Sequence, residues 1–452
     1  MSALNALSPL DGRYFKDMEP LRAVFSEAAL IYFRIHVETI YLEQLLEFLE
    51  IQRPAHFSEI LSQIRQRPDL IEKVKEREQE TRHDVKAVEY VLGDALAEAG
   101  CKDLIAWIHW GLTSEDINNL AWGLMLQAAM AQVIQPQWVQ IFTELSAFIS
   151  NHAGLAMLAR THGQAASPTT LGKEYAVFAQ RLLQEVKHQA SLLPIGGKLN
   201  GATGNWHVFE SFYPEHDWQS FSQEFVQSLG LAWEPLTTQI VVKESHARLF
   251  DSLRRMSNIL IDACRDTWTY VSLGYFELKR RGQGEVGSST MPHKVNPVMF
   301  ENAEGNLELS CALFDFLSNK LTKSRLQRDL SDSTVQRNLG VALGHFLLGL
   351  QSFQKGLKQL APRENVLSAE LATHWEILAE PLQHALRLAG REIPYEQIRQ
   401  ATQGEQLNQE KFEALVKNLN IDLPVKSPGA YTGQAEKLAK QNVAEIQAYF
   451  KF

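Results

Sequence analysis

The segment GSSTMPHKVNP, residues 287–297, gathers two hydroxyls (Ser288, Ser289), an imidazole (His293) and an ammonium (Lys294) in one short stretch. Gly282, Gly284 and Gly287 loosen the backbone ahead of the serines. Asn296-Pro297 reads as a helix N-cap followed by a first-turn proline. The spacing therefore predicts a loop, 282–297, that runs into a helix N-terminus. Backbone N–H groups, the helix dipole and an ammonium converge there, which suits an anion or a developing oxyanion. An ordinary Ser/Gly-rich loop with a helix cap has the same composition. Neither GxxxxGK[ST] nor GxSxG is present. On residue chemistry alone His293, beside Lys294, is the better base, because a serine alkoxide is hard to form near neutrality.

Four further clusters carry polar chemistry. In RTHGQAASPTT (160–170), Ser167-Pro168 reads as cap plus proline and leaves His162 on the loop before a helix. Such a histidine can act as acid or base. TRHDVKAVEY (81–90) places Arg82, His83, Asp84 and Lys86 together, either as a site or as a helix-surface charge network. In GLTSEDINN (111–119), Thr113 with Asp116 resembles a capping box. The free N–H groups of this helix start suit a carboxylate if Glu115 and Asp116 point away. SRLQRDLSDSTVQRN (324–338) sets Arg325, Arg328 and Arg337 among Ser331, Ser333 and Thr334. Guanidinium forks and hydroxyls match a phosphate; a solvated helix face partnered by Asp329 and Asp332 reads equally well. GGKLNGATGN (196–205) follows no strand signal and is read as a tight interhelical turn. No HExxH-type spacing occurs, so no catalytic metal is expected.

The elements that must position these groups are helices. Helical periodicity dominates and no region alternates as a strand, so the fold class is all-α. Residues 20–50 place Leu21, Val24, Phe25, Ala28, Ala29, Tyr32, Phe33 and His36 on one predicted face. Asp69–Leu96 reads as helical and largely solvent-facing. Thr113–Thr143, Gln137–Leu158, Pro168–Leu193, Ala247–Arg281 and Pro297–Lys323 read as long helices. Leu120–Ile134 and Leu339–Leu350 are apolar round most of their circumference, which favours a central bundle at the heart of a homo-oligomer. Breaks near Gly111 and Pro362 divide the chain into an N-terminal helical domain (1–111), a central bundle (112–361) and a C-terminal helical domain (362–452).

Composition bounds the partners. The 452 residues carry 44 Lys+Arg against 53 Asp+Glu, a net charge of −9. A broad basic surface is absent, which argues against nucleic acid or an anionic membrane as partner. An anionic small molecule needs only a local cation cluster. The N-terminal sequence lacks the pattern of a secretory signal. The charge-free stretch Ile117–Thr143 is interrupted by Asn118, Asn119, Gln127 and Pro136 and does not read as membrane-spanning. Cys101, Cys264 and Cys311 are far apart and odd in number, as expected of reduced thiols in a cytoplasmic protein.

GSSTMPHKVNP matches the GSSxMPxKxNP signature of the fumarase/aspartase superfamily. RTHGQ, TSEDINN, RHDVKAVEY, TTQI (237–240) and DSTVQRNLG (332–340) narrow the resemblance to the adenylosuccinate lyase family in its bacterial long form, over essentially the whole chain. The resemblance implies three mostly helical domains, a homotetramer around a twenty-helix core, and active sites shared among three subunits. It also implies cofactor-free β-elimination of fumarate from adenylosuccinate and from succinylaminoimidazole carboxamide ribotide (SAICAR). The family pattern makes Ser288 the base and His162 the acid, with His83 orienting groups near the phosphate and the leaving nitrogen. Lys294, Asn296, Thr113, Ser114 and Ser289 would bind the succinyl carboxylates, and Gln239 would position the substrate. Arg328, Ser333, Thr334 and Arg337 would hold the phosphate, and Arg13 and Tyr14 the nucleotide. Arg82, Asp84 and Asn302 complete the implied contacts.

The physics of the substrate agrees: a phosphate of about −1.5 to −2 and two carboxylates need several cations, for which Arg13, His83, Lys294, Arg328 and Arg337 are the candidates. A serine base becomes workable if the loop from about Gly282 to Met291, expected open without substrate, closes and excludes water. Ala165 and Ser167 stand where the family pattern has Pro and Thr, which frees the backbone after His162. Argininosuccinate lyase, fumarase and aspartase are the alternative enzymes, but their substrates lack the phosphate that Arg328 and Arg337 suit. A non-catalytic structural relative is the third alternative, and the intact set Ser288, Lys294, Asn296, His162 and His83 speaks against it.

Overall fold

Ser26 decides how the chain begins to pack. It separates α1 (Glu19–Phe25) from α2 (Glu27–Phe48), its hydroxyl accepting from the Ala29 N–H at 3.1 Å. The break resets the helical phase. Leu30, Ile31, Ile35, Leu42 and Leu46 are buried while Ala28 and Tyr32 are exposed, so the single face predicted over residues 20–50 fails beyond it. The computed structural model describes residues 3–279, 291, 294–392, 394–402 and 407–451. They form two compact units.

The first unit comprises Met1–Pro136, Lys187–Ser257 and Glu308–Leu348. Here α2 packs with α3 (Phe57–Arg65), α4 (Asp69–Thr81) and α5 (Asp84–Glu98) around Ile35, Phe57, Leu61, Leu70, Val88 and Leu92. The helix predicted over Asp69–Leu96 is broken at Arg82-His83. Arg82 is left-handed (φ 52°) and donates its N–H to the Glu78 carbonyl at 2.8 Å. His83 then caps α5 through its ring.

Next comes α6 (Ser114–Ala129), which continues through a π-helical turn, Met130–Ile134, into α7 (Gln135–Asn151). Pro136 has no N–H to donate and its ring crowds the preceding turn; the wider turn ahead of it accommodates both facts.

The second unit comprises Gln137–Val186, Asn258–Leu307 and Gly349–Phe452. The helix predicted to reach Leu158 stops at Asn151. It is followed by β1 (Ala156–Thr161), paired antiparallel with β2 (Gln164–Thr170). Thr161 faces Gln164, so the connection is the two residues His162-Gly163, both at positive φ (54° and 74°). That is the backbone of a primed hairpin turn. Ser167-Pro168 lies in the strand, and α8 (Leu171–Ser191) begins after it. Ala165 sits opposite Arg160 in the ladder, so strand pairing restrains the backbone that the missing proline was expected to free. A proline is tolerated here because each strand of a two-stranded ribbon is an edge.

The 196–206 segment is not a plain turn, since β3 (Gly196–Gly197) pairs in parallel with β4 (Ala232–Trp233) across α9 (His207–Phe212) and α10 (Trp218–Ser228). A Cβ at Gly196 would lie 2.0 Å from the Glu234 carboxylate, so a larger residue there would require the Glu234 side chain to swing aside. The long α11 (Glu244–Ser272) ends well before the predicted Arg281. Gly274 is left-handed there (φ 77°) and the Tyr275 N–H closes on the Tyr270 carbonyl at 2.9 Å. Then β5 (Phe276–Leu278) follows, and α12 spans Val298–Leu321. The Pro297 carbonyl accepts from Phe300 and Glu301, so α12 is capped one residue later than Asn296. The short α13 (Ser331–Gln336) and the long α14 (Leu339–Gln359) lead to β6 (Leu360–Pro362), which pairs with β5. Among the described residues, five α-helices follow in the second unit: α15 (Glu364–Thr373), α16 (Ala379–Leu388), α17 (Pro394–Thr402), α18 (Gln409–Leu419) and α19 (Ala435–Phe450). Leu371, Trp375, Leu378, Leu382 and Phe412 form its core beside Leu158.

The fold class is all-α in substance: the strands of the described residues make three two-stranded pairings and nothing larger. No helix of the described residues is long and apolar enough to cross a membrane.

The approach to α6 holds a buried ion pair. His109, left-handed at φ 58°, places Nδ1 2.5 Å from the Glu38 carboxylate. Burial lowers the imidazole, but Glu38 and Glu89 outweigh it and push it up to about 9. The folded value lies above the ordinary 6.5, so the pair's stabilisation is complete below about pH 6.5 and is lost as pH rises through about 9. A gap of this size corresponds to about 3 kcal/mol. Urea melts from about pH 6 to about pH 10 should show that decline, and a His109→Gln variant should lose this pH dependence.

Candidate active site

In the first unit a cavity of about 640 Å³ is walled by the α4–α5 break, the start of α6, the 202–203 turn, Gln239 and the 326–333 segment. Its size suits a small molecule. Of the residues singled out in the sequence, His83, Asp84, Thr113, Ser114, Gln239, Arg328 and Ser333 line it.

Asp116 fixes the start of α6. The carboxylate accepts from the N–H groups of Thr113 (2.9 Å), Asn200 (3.0 Å) and Gly201 (3.2 Å) and pairs with Lys198 Nζ at 3.0 Å, both side chains fully buried. Lys198 also donates to the Gly201 carbonyl at 2.9 Å. Asn119 completes the joint, accepting from the Lys198 N–H at 2.8 Å and donating to the Lys198 carbonyl at 3.2 Å. The first turn of α6 is thus bolted to the 196–201 segment, which delivers Ala202 and Thr203 to the cavity. Asp116 points inward, away from any ligand at the helix N-terminus, as an anion site there requires.

Glu115 turns to Arg328, at 3.3 Å from Nη2. Arg328 Nη1 donates to Gln239 Oε1 at 3.0 Å, and Gln239 Nε2 donates to the Ala202 carbonyl at 2.9 Å. The guanidinium is therefore held by groups on two other segments. Burial raises the Glu115 carboxyl, while Lys243 and Arg328 pull against that rise. Lys243 is itself 1% exposed, a cation stored behind the wall.

The opposite wall rests on Arg34, 2% exposed within α2. It donates to Asp84 at 2.5 Å and to Asn118 Oδ1 at 2.9 Å, both cavity residues. Burial alone would raise the Asp84 carboxyl, but Arg34, the Val85 amide and Arg337 hold it below its ordinary range. His83 Nδ1 accepts from the Lys86 N–H at 3.1 Å. In that contact Nδ1 is the acceptor, which leaves Nε2 as the other polar atom of the ring.

Several implied contacts lie elsewhere in this unit. Arg337 does not line the cavity; it pairs with Glu27 at 2.8 Å and reaches Asp84 at 3.5 Å. Arg13 and Tyr14 sit on the turn before α1, 5.9 Å from guanidinium to ring centre, and do not line the cavity. Arg82 and Thr334 are exposed and are not in the wall. Arg325 is not a cavity residue either: it reaches solvent beside Asp329.

In the second unit, His162 is exposed at the tip of the β1–β2 hairpin. The hairpin is tied down by Arg160 to Glu370, which also receives the Tyr275 hydroxyl, and by Ser167 to Glu380. Ser167 is thus a tether and not a helix cap. Lys294 is exposed and donates its N–H to the Met291 carbonyl, and Asn296 is half-buried ahead of α12. Asn302 donates to Ser352 at 2.8 Å and accepts from Asn306 at 3.0 Å, so its amide is committed at both ends. Ser288, Ser289 and His293, and the loop expected to close, lie outside the described residues apart from Met291.

Arg34, Asn118, Ala202, Thr203, Lys243 and Leu326 were not read as site residues. Arg34 carries the one available signal: an arginine flanked by Ile31, Ile35 and Val37 on an apolar helix needs a carboxylate, and Asp84 supplies it.

Comparison with known proteins gives a consistent result. Residues 12–309 match a family described as "Lyase", and residues 324–428 match one described as "Adenylosuccinate lyase C-terminal". The adenylosuccinate lyase of Legionella pneumophila (strain Corby) is 44% identical over 455 residues, covering 97% of this chain and 99% of that protein. That of Escherichia coli (strain K12) is 42% identical over 452 residues, covering 96% and 98%. Among solved structures, the 3-carboxy-cis,cis-muconate lactonizing enzyme from Pseudomonas putida superposes with a TM-score of 0.77 at 19% identity, covering 96% of this chain and 97% of that one. At that identity the likeness is one of fold.

Proposed function

Because the chain belongs to the adenylosuccinate lyase family, we propose that it eliminates fumarate from adenylosuccinate, giving AMP, and from SAICAR, giving the aminoimidazole carboxamide ribotide AICAR. The observation that carries the reading is the convergence of His83, Thr113, Ser114, Gln239, Arg328 and Ser333 on one cavity of substrate size.

The chemistry follows from the residues. Ser288, as an alkoxide, removes the proton from the succinyl carbon next to a carboxylate. Lys294, Asn296, Ser289 and the N-terminus of α6 hold the aci-carboxylate that forms. Its electron pair closes the carbon–carbon double bond as the carbon–nitrogen bond breaks, and His162 protonates the departing nitrogen. His83 donates through Nε2, and Arg328 and Ser333 bind the phosphate with Thr334 on α13 and Arg337 at its C-cap in reserve. No cofactor takes part in this sequence of steps.

We place the protein in the cytoplasm as a homotetramer with sites shared between subunits, and keep the division 1–111, 112–361 and 362–452 as its domains. Trp268 on α11 and Leu309 and Phe316 on α12 are exposed in the single chain, which supports burial in an assembly.

The direct test follows the ultraviolet absorbance of purified protein given adenylosuccinate, SAICAR or argininosuccinate, with fumarate assayed separately. Fumarate from the first two and none from the third is expected; turnover of argininosuccinate alone would reverse the assignment. Arg328→Met removes two charge-assisted bonds and should raise KM for adenylosuccinate by about tenfold or more. An unchanged KM would remove Arg328 from the phosphate site.

A further inference from the structure

Two leucines on the cavity wall stand out from its polar surroundings. Leu326 is 89% exposed and Leu330 is 68% exposed, and both line the cavity. Leu326 is also left-handed at φ 50°, a backbone state that a bulky residue adopts only at a cost and that glycine adopts freely.

The loop enforces this geometry. Asp329 accepts from the Arg325 N–H at 3.0 Å and the Ser331 N–H at 2.7 Å, and its own N–H donates to Ser324 Oγ at 3.2 Å. A cross-braced loop of this kind can maintain strain that a free one would release. Between the two leucines the same loop sends Arg328 to Gln239 and Glu115. One short segment therefore delivers a cation and two wet apolar side chains to one cavity.

The rest of the wall accounts for the charged parts of the ligand. Arg328 and Ser333 suit a phosphate, and Thr113, Ser114 and the α6 N–H groups suit carboxylates. What remains of the substrate under the function proposed above, on which this step rests, is a hydroxylated ribose and a flat uncharged ring system, and of the two only the ring offers a broad face that apolar side chains can cover. We propose that Leu326 and Leu330 form the platform for the substrate's heterocycle and select the two-ring purine over the one-ring imidazole. The purine covers more of the platform, and the gain in binding scales with apolar area removed from water.

The products separate this effect from the succinyl group and from turnover. Inhibition constants of AMP and AICAR against adenylosuccinate cleavage are measured for the native enzyme, Leu326→Gly, Leu330→Ala and Arg328→Met, with thermal melts and sedimentation for each. For Leu326→Gly the AMP constant should rise about five- to tenfold and the AICAR constant by no more than about twofold. The melting temperature should hold or rise, because glycine takes this backbone without strain. Leu330→Ala should shift the ratio in the same direction, while Arg328→Met should weaken both products alike.

Equal weakening of the two products by Leu326→Gly, or none while Arg328→Met weakens both, would overturn the platform and leave the phosphate site standing. No effect of Arg328→Met would instead overturn the reading of the cavity. Dissociation of the assembly by Leu326→Gly would make Leu326 a subunit contact and also overturn the platform.

Discussion

Alanine at Ser288 should slow fumarate release by about 10³-fold or more, since no other group of the proposed machinery can take the carbon-bound proton. The companion change at His162 needs a choice of residue. His162 occupies the left-handed region at φ 54° in the two-residue turn between β1 and β2. Alanine there would add backbone strain to the loss of the imidazole, confusing the two. Asparagine tolerates that backbone and cannot transfer the proton, so His162→Asn isolates the chemistry. It should cost about 10²–10⁴-fold in turnover with the fold unchanged. The two variants should differ in one respect: because the acid acts on the leaving nitrogen, a substrate analogue with a better leaving group should recover much of the His162→Asn loss and none of the Ser288→Ala loss. Near-native rates in either variant would remove that residue from its role.

The largest expected effect on stability lies at Lys198. Its ammonium and the Asp116 carboxylate are both inaccessible to water and 3.0 Å apart. Methionine at 198 keeps most of the shape and leaves Asp116 charged, buried and without its counter-ion. Loss of about 3–5 kcal/mol is expected. An exposed cation such as Lys73, paired with Asp69 on the surface, should change stability by about 1 kcal/mol or less when replaced in the same way. Chemical denaturation of the two variants against the native protein checks the contrast. Because Asp116 also holds the Thr113 N–H, Lys198→Met should raise KM as well, whereas the surface variant should not.

These residues show where sequence reasoning reached and where it stopped. The helices were legible because their apolar residues recur at helical spacing, and the all-α class followed. The hairpin at 156–170 was not, because His162-Gly163 carries no Asn-Gly or Asp-Gly and Ser167-Pro168 mimics the start of a helix. The interruption at Ser26 was missed because apolar residues continue on both sides of it. Within the site, the motif residues at 83, 84, 113, 114, 239, 328 and 333 were found, and they meet in one cavity. The groups that hold them were not: Arg34, Asp116 with Lys198, and Glu115 with Lys243 act through partners tens to hundreds of positions away, a separation that local pattern cannot span. Leu326 escaped for another reason, since a leucine in a polar loop announces nothing until its backbone angle and exposure are known.

The ring at position 83 has two working ends. Its inner nitrogen opens α5 by receiving the Lys86 amide, and the ring belongs to the cavity wall, where the second nitrogen would serve the proposed function. Asparagine would reproduce the inner end and stop short of the outer one. Glutamine would reach further but could not fold back on Lys86 at the same time. A lysine would restore reach and charge while abolishing the acceptor. Among the natural side chains an imidazole is the one that could join the two tasks, so under the proposed function the beginning of a helix and the grip on a ligand would be vested in a single aromatic ring.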